Sequence, residues 1–265
     1  MYAFEYHRPG TLADAVSLLQ GASDGRLLAG GHTLLPTLKQ RLAQPSDLVD
    51  LGAITELRRI FVDRGSQLVI GAMATHAEVA SSQDVRSWVP ALAHLAEHIG
   101  DAQVRNRGTV GGSIANNDPA ADYPAAVVGL NATVHTNRRE IGADDFFTGM
   151  FETALADDEI ITEVRFPKPD RAGYAKFPNP ASRYAIVGVM VAQSGGQTRV
   201  AVTGAGPCVY RLGEFEQALA SNFAADAIEN LSVSPDGLNS DIHASAEYRA
   251  HLVKVMAKRA LAAAS

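Results

Sequence analysis

Three observations predict an α+β protein. Amphipathic helical stripes recur along the chain. Short apolar runs end in glycine-rich loops. Residues 185–204 alternate in the manner of an antiparallel hairpin. The spacing places two α+β subdomains, about 1–55 and 56–170, in a first domain, and a smaller α+β domain in residues 171–265. Its border is the stretch holding Pro167, Pro169, Gly173, Pro178 and Pro180.

In chain order, Thr11-Leu12-Ala13-Asp14 opens a helix with a capping-box variant. Leu12, Ala15, Val16 and Leu19 share its inner face, and Gly21 ends it. Arg26–Ala29 is a buried strand running into Ala29-Gly30-Gly31-His32-Thr33-Leu34-Leu35-Pro36. A helix over Leu34–Leu42 follows, with Pro36 in its first turn. Asp47–Leu51 and Gln67–Ala72 read as strands, and Thr75–Ala80 opens another helix. Pro90–Ile99 is helical with Leu92, Leu95, Ala96 and Ile99 inward. A polar loop, Gly100–Gly108, carries Arg105 and Arg107 into the second glycine loop, Thr109–Pro119. Tyr123–Leu130 is a helix; Asn131–Thr136 and Ile160–Phe166 are strands. Ala185–Gln193 and Thr198–Gly204 pair through Gly195-Gly196. Short helices sit near Glu214–Ala220 and Ala224–Leu231. A last helix, Ser245–Ala263, turns Tyr248, Leu252, Val255 and Met256 inward and Lys254, Lys258 and Arg259 outward.

Composition narrows the function. Net charge is −6 and no long basic run is present, which argues against nucleic acid and acidic membranes as partners. No apolar run reaches membrane-spanning length. The amino terminus lacks the pattern of a signal peptide, so a cytoplasmic location is expected. Cys208 is the single cysteine, too few for a disulfide framework or an all-cysteine iron–sulfur cluster. It is expected to be a small buried residue. No metal-ligand motif and no catalytic triad pattern is recognisable, so neither a metal site nor a catalytic residue is assigned.

The glycine loops carry the chemistry. Adjacent glycines permit positive φ and close approach of a ligand, and consecutive N–H groups can form an anion-binding concavity. Two such concavities suit a pyrophosphate held from both sides, hence a dinucleotide. Neither loop matches the Rossmann fingerprint or the P-loop, and either double glycine alone is equally consistent with a tight turn.

Taken together, the motifs resemble the medium, FAD-binding subunit of molybdenum hydroxylases of the carbon monoxide dehydrogenase and xanthine dehydrogenase type. The resemblance runs through Ala29–Lys39, Ile70-Gly71-Ala72-Met73-Ala74-Thr75-His76, Ile99–Ser113, Asp118–Ala125, Phe146–Gly149, Asp158–Val164 and Ala246–Arg249. It implies a PCMH-type FAD-binding domain of two subdomains followed by a smaller flavoprotein domain. It implies FAD, held noncovalently. Ala29, Gly30, Gly31, His32, Thr33 and Leu34 would wrap the pyrophosphate region, with Thr109, Gly111, Gly112 and Ser113 on the other side. Ile99 corresponds to an apolar adenine contact. Asn116 and Asp122 correspond to polar groups reaching the flavin or its ribityl chain, and Ile161 packs on the ring. Lys176 stands beside the ring and Tyr184 covers a face of it.

Several positions also have an ordinary structural reading: Asp122 as a helix cap, Ile161 as strand core, Lys176 as a solvated charge, His32 and His76 as loop residues without chemistry. Arg105 and Arg107 either assist the phosphates or face solvent or a partner. The resemblance further implies a heterotrimer, as a dimer of heterotrimers, with a large molybdenum-cofactor subunit and a small subunit carrying [2Fe–2S] clusters. Electrons would pass from a cluster through FAD to an external acceptor. A self-contained flavin oxidase of related fold and a flavin-free assembly subunit are the alternatives.

Overall fold

The computed structural model describes residues 1–64 and 66–265. The first part joins β1 (Glu5–His7), α1 (Leu12–Gly21), β2 (Gly25–Leu28), α2 (Leu34–Lys39) and β3 (Asp47–Asp50). Its strands form a parallel sheet ordered β1-β3-β2. The Thr11 hydroxyl caps α1 by accepting from the Asp14 N–H at 3.2 Å. Ala15 and Leu19 of α1 pack on Val49 of the central strand, together with Leu51, Ile54, Leu57, Met73 and Ile160. The last two belong to the next part of the chain, so this sheet is welded to its neighbour by a shared apolar cluster.

The second part holds β4 (Ile60–Asp63), β5 (Gln67–Gly71), α3 (His76–Ser81), α4 (Gln83–Trp88), α5 (Pro90–Glu97), α6 (Ala102–Arg105), α7 (Val110–Asn116) and α8 (Tyr123–Gly129). It continues with β6 (Thr133–Thr136), β7 (Glu140–Gly142), α9 (Ala143–Phe146), β8 (Phe147–Gly149), β9 (Glu152–Thr153) and β10 (Ile161–Pro167). The antiparallel sheet is ordered β4-β5-β10-β6-β7, so the last strand made fills the centre. Val164 and Phe166 of β10 point into a core that includes Leu68, Ile70, Leu92, Leu95, Ile114 and Phe146.

The third part is the antiparallel sheet β11 (Arg171–Pro178), β12 (Ala185–Ser194), β13 (Gln197–Thr203) and β14 (Tyr210–Arg211), followed by α10 (Gly213–Ser221) and α11 (Ala246–Ala263). β12 is buried on both faces. Val187, Val189 and Val191 pack toward α10 and α11, while Met190 and Ala192 join the core of the second part. A strand covered on both sides reads as a continuous apolar run. Gly195 (φ 55°) and Gly196 (φ 82°) turn the hairpin as expected. α11 lies so close to β11 that a Cβ on Gly173 would sit 2.0 Å from the Ala260 carbonyl oxygen.

Several expectations need correction. Thr109–Pro119 is not a loop throughout: Val110–Asn116 is helical despite its two glycines, and Ala102–Arg105 is helical within the expected polar loop. α2 ends at Lys39, short of Leu42, and Ala225–Ile228 is a single 3-10 turn rather than a helix. In α11, Tyr248 is 44% exposed and Arg249 is buried in the inner stripe. The guanidinium of Arg249 replaces the expected aromatic because it has carbonyls and a carboxylate to bond there. Cys208 is half-buried.

Candidate functional site

A cavity of about 790 Å³ lies where the three sheets meet. One wall is the first glycine loop between β2 and α2. Ala29, Gly30, Gly31, His32, Thr33 and Leu34 all line it. Gly31 adopts φ +75°, in the left-handed region that glycine enters freely. Gly30 rests on the segment that leads into the second loop: a Cβ there would stand 2.1 Å from the Arg107 carbonyl oxygen. Leu35 and Thr37 donate back to the Gly31 and Thr33 carbonyls. Among the described residues, the N–H groups of Gly30, Gly31, His32 and Thr33 reach no protein acceptor. Consecutive free amides around a positive-φ glycine form a nest that favours an anion.

The opposite wall is the start of α7. Thr109, Gly111, Gly112, Ser113 and Asn116 line the cavity. Their amides are differently engaged. Val110 N–H donates to Ala74 O at 3.0 Å, and Gly111 N–H to Ala72 O at 2.8 Å. Gly112 N–H meets the Thr109 hydroxyl at 3.2 Å, and Ser113 N–H the Thr109 carbonyl at 3.0 Å. The second loop is therefore no second amide nest, contrary to the expectation of two concavities. Its glycines serve close packing: a Cβ on Gly111 would lie 2.6 Å from Ala72 Cβ. This wall offers the cavity side chains, the Ser113 hydroxyl and the Asn116 amide, neither bonded to a protein group among the described residues.

Ile99 lies at the end of the cavity beside Gly100 and Val104. Arg105 sends Nη1 to the Ile99 and Gly100 carbonyls at 3.0 and 2.9 Å, so it fixes that turn. Arg107 is exposed and contributes its carbonyl to the Gly30 contact. Ile161, at a bulge in β10, and Tyr184, 48% exposed, also face the cavity.

Asp122 and Lys176 form a different unit. Asp122 lines the cavity but is 4% exposed, and it makes no cap on α8. Its carboxylate accepts from the Tyr174 hydroxyl at 2.6 Å and lies 2.9 Å from Lys176 Nζ. Nζ also donates to the His98 carbonyl at 2.8 Å and the Arg183 carbonyl at 3.0 Å. Lys176 thus ties the end of α5, the start of α8 and the loop before Tyr184, and it lies outside the cavity lining. Burial raises the Asp122 carboxyl above its ordinary range, and the Lys176 charge and the Tyr174 and Lys176 hydrogen bonds oppose the rise. The Tyr174 hydroxyl is pushed up by burial and by Asp122.

Sequence reasoning passed over some cavity residues. His76, which it treated as chemically idle, lies at the joint of the two loops, where a Cβ on Gly108 would come within 2.5 Å of Nε2. Burial, then the neighbouring His32 and Arg105, lower its pKa to about 4, so the ring is neutral at pH 7. Glu159, buried behind Arg139 with its pKa lowered to about 2, also reaches the cavity, as do Met73, Ser182 and Arg183. The turn chemistry of Asn179, whose Oδ1 accepts from Ala181 and Ser182 N–H, is the signal that could have placed Ser182 and Arg183.

The family described as the FAD binding domain in molybdopterin dehydrogenase matches residues 2–169. The chain is 37% identical to the nicotine 6-hydroxylase medium subunit of Paenarthrobacter nicotinovorans, across 98% of this chain and 96% of that protein. It is likewise 37% identical to the carbon monoxide dehydrogenase medium chain of Hydrogenophaga pseudoflava, with the same coverage. A chain in the solved structure of that dehydrogenase superposes with a TM-score of 0.86, covering 99% of this chain and 97% of the other. A chain of quinoline 2-oxidoreductase from Pseudomonas putida 86 superposes at 0.88 with 31% identity, over 98% and 96%.

Proposed function

The chain belongs to the FAD-binding medium subunits of the molybdenum hydroxylases, a family of oxidoreductase subunits, and on that premise we propose that it relays electrons from a [2Fe–2S] partner through bound FAD to an external acceptor. The observation that carries the reading is the row of free amides at Gly30–Thr33, which opens into a cavity large enough for a dinucleotide. The nest fits a pyrophosphate. FAD, once bound, supplies the redox chemistry, and the protein orients it and sets its surroundings.

The residues divide the work. The first loop holds the pyrophosphate by its backbone. Ser113 and Asn116 bond the ribityl region, Ile99 borders the adenine, and Ile161 packs against the ring near Asp122. Lys176 holds that wall in place without touching the flavin. Cys208 is absent from the cavity wall, which supports noncovalent binding. A large molybdenum-cofactor subunit and a small iron–sulfur subunit complete the complex, a dimer of heterotrimers in the cytoplasm. Among the described residues, no helix is long and apolar enough to cross a membrane.

The test is to purify the chain with whatever binds it, release the flavin by denaturation, and determine flavin, iron and molybdenum. Stoichiometric FAD with iron–sulfur and molybdenum partners is expected. FAD on a lone chain that oxidises a substrate with oxygen would overturn the relay in favour of an oxidase. Absence of flavin would leave an assembly subunit.

A further inference from the structure

A second cavity, of about 490 Å³, opens beside the first and shares Asp118, Ser182 and Tyr184 with it. Its rim is apolar and exposed. Met150 is 48%, Phe151 56% and Tyr184 48% accessible. The rim is also fixed in place. Asn117, at the left-handed end of α7, donates from Nδ2 to the Gly149 and Glu152 carbonyls at 2.8 Å each, and its own carbonyl accepts from Phe151 N–H at 3.2 Å. The helix that forms one FAD wall thereby holds the hairpin tip that presents Met150 and Phe151. Phe151 sits at φ +56°, an unusual value for an aromatic residue, held by these bonds.

The interior is polar but offers nothing to a phosphate. Arg249 spends Nη1 on the Ile186 and Gly204 carbonyls, and Nη2 faces Asp241 at 2.7 Å; its Nε has no partner among the described residues but is buried out of reach of the cavity. Asp118 adds a second carboxylate, and His243 and the Tyr184 phenol are the other ionisable side chains of the lining. Asn179 is 7% exposed; its Oδ1 is held by two backbone N–H groups, and among the described residues its Nδ2 donates to no protein acceptor.

We propose that this second cavity receives the oxidant of the complex, and that the oxidant is of the quinone class. The inference rests on FAD occupying the neighbouring cavity with its ring toward Asp122 and Tyr184. A flat uncharged ring stacks on the Phe151 and Tyr184 side chains, and a ring carbonyl accepts from Asn179 Nδ2. A pyridine dinucleotide would bring a pyrophosphate into a lining with two carboxylates, no amide nest and no guanidinium nitrogen open to it, since the one unpartnered nitrogen of Arg249, Nε, is buried beneath the surface. In the reaction the quinone gains two electrons and two protons and leaves as the hydroquinone. Both electrons and both protons would come from the flavin in its fully reduced state, so the step would need no further reductant.

The experiment uses the full FAD-loaded chain and duroquinone, whose four methyl groups prevent addition to the Cys208 thiol. Titration calorimetry on the oxidised protein should show saturable binding. After chemical reduction, the rate of flavin reoxidation should saturate with duroquinone concentration. Phe151→Asp, at an exposed tip, and Asn179→Asp, which keeps the turn acceptor and removes the donor, should each weaken binding at least tenfold with FAD content unchanged. NAD should not displace the quinone.

The proposal fails if binding is absent and reoxidation rises linearly with quinone. It fails if both variants bind normally, or if NAD competes. It also fails if Phe151→Asp blocks assembly with the partner subunits while duroquinone still binds, because the rim is then a subunit contact. A chain that holds no FAD at all is a separate result: it removes the electron-relay reading, and this inference with it.

Discussion

The two glycine loops look alike in the sequence and do opposite work. In the first, the amides of Gly30–Thr33 are left open to the cavity, and positive φ at Gly31 aims them. In the second, the amides of Val110–Ser113 are all spent on Ala74, Ala72 and Thr109, and the missing Cβ of Gly111 lets α7 lie on the end of β5. One double glycine leaves donors free for a ligand. The other brings a helix close enough to form the wall that confines it. A glycine pair therefore announces close approach, and only the hydrogen-bond partners say whether a ligand or the chain itself is approached.

Lys176 belongs with the second loop, because its donors are consumed by the protein, and it gives the largest expected effect. Lys176→Met would leave Asp122 buried without its cation. Removing one partner of a buried pair costs about 3–5 kcal/mol, or a melting-point loss of roughly 6–20 °C at this chain length. The pH dependence gives a second readout. Burial already raises the Asp122 carboxyl, and loss of Lys176 raises it further. A carboxyl raised in the folded state contributes stability below its unfolded pKa and loses it as pH rises through the folded value. The deficit of the variant should therefore shrink in acid and grow toward neutrality, as measured by denaturation across pH. A flat profile would place Lys176 on the ligand side of the comparison.

Gly111→Ala comes next. The new Cβ would meet Ala72 Cβ at 2.6 Å and the Ala72 carbonyl oxygen at 2.8 Å, neither a flexible side-chain end. Overpacking of this kind costs about 1–3 kcal/mol. Chemical denaturation of the FAD-free chain should show that loss, and FAD affinity should fall only as far as the wall shifts.

Much of this was legible beforehand. Thr11 caps α1, Gly195-Gly196 turns the hairpin, and the helix over residues 90–97 follows its apolar spacing, because each is decided within a few residues. Positions near the first loop were legible for the same reason: a strand, two glycines and a helix start suffice to describe a nest. The helix at Val110–Asn116 was not, since glycine disfavours helix by about 1 kcal/mol per residue, and what offsets that lies in Ala72 and Ala74, far back in the chain. Strands β1, β4 and β7 were passed over because short edge strands carry little pattern of their own, and the eight-residue β11 because Gly173 and the flanking prolines made its span read as a domain border. The engagement of Lys176 depends on the carbonyls of His98 and Arg183, which no local reading of Tyr174-Ala175-Lys176 could supply.

Gly31→Ala should cost the fold least and ligand binding most, and that crossing is what the comparison requires. The added Cβ at φ +75° incurs about 1–2 kcal/mol of backbone strain. Its nearest contact, Leu35 Cδ1 at 2.8 Å, is the end of a side chain that can turn away. Relief of the strain rotates the peptide planes on either side, and with them the free N–H groups that form the nest. Each charge-assisted hydrogen bond lost is worth about 1.5–3 kcal/mol, which corresponds to roughly a tenfold to 150-fold weaker FAD affinity. Equilibrium dialysis of FAD against the two glycine variants, alongside their denaturation curves, decides the matter. If Gly111→Ala were the variant that loses FAD at unchanged stability, and Gly31→Ala the one that loses stability with FAD retained, the roles argued for the loops would be reversed. The pyrophosphate would then have to be sought at the start of α7, where no backbone donor from Val110 to Ser113 is free.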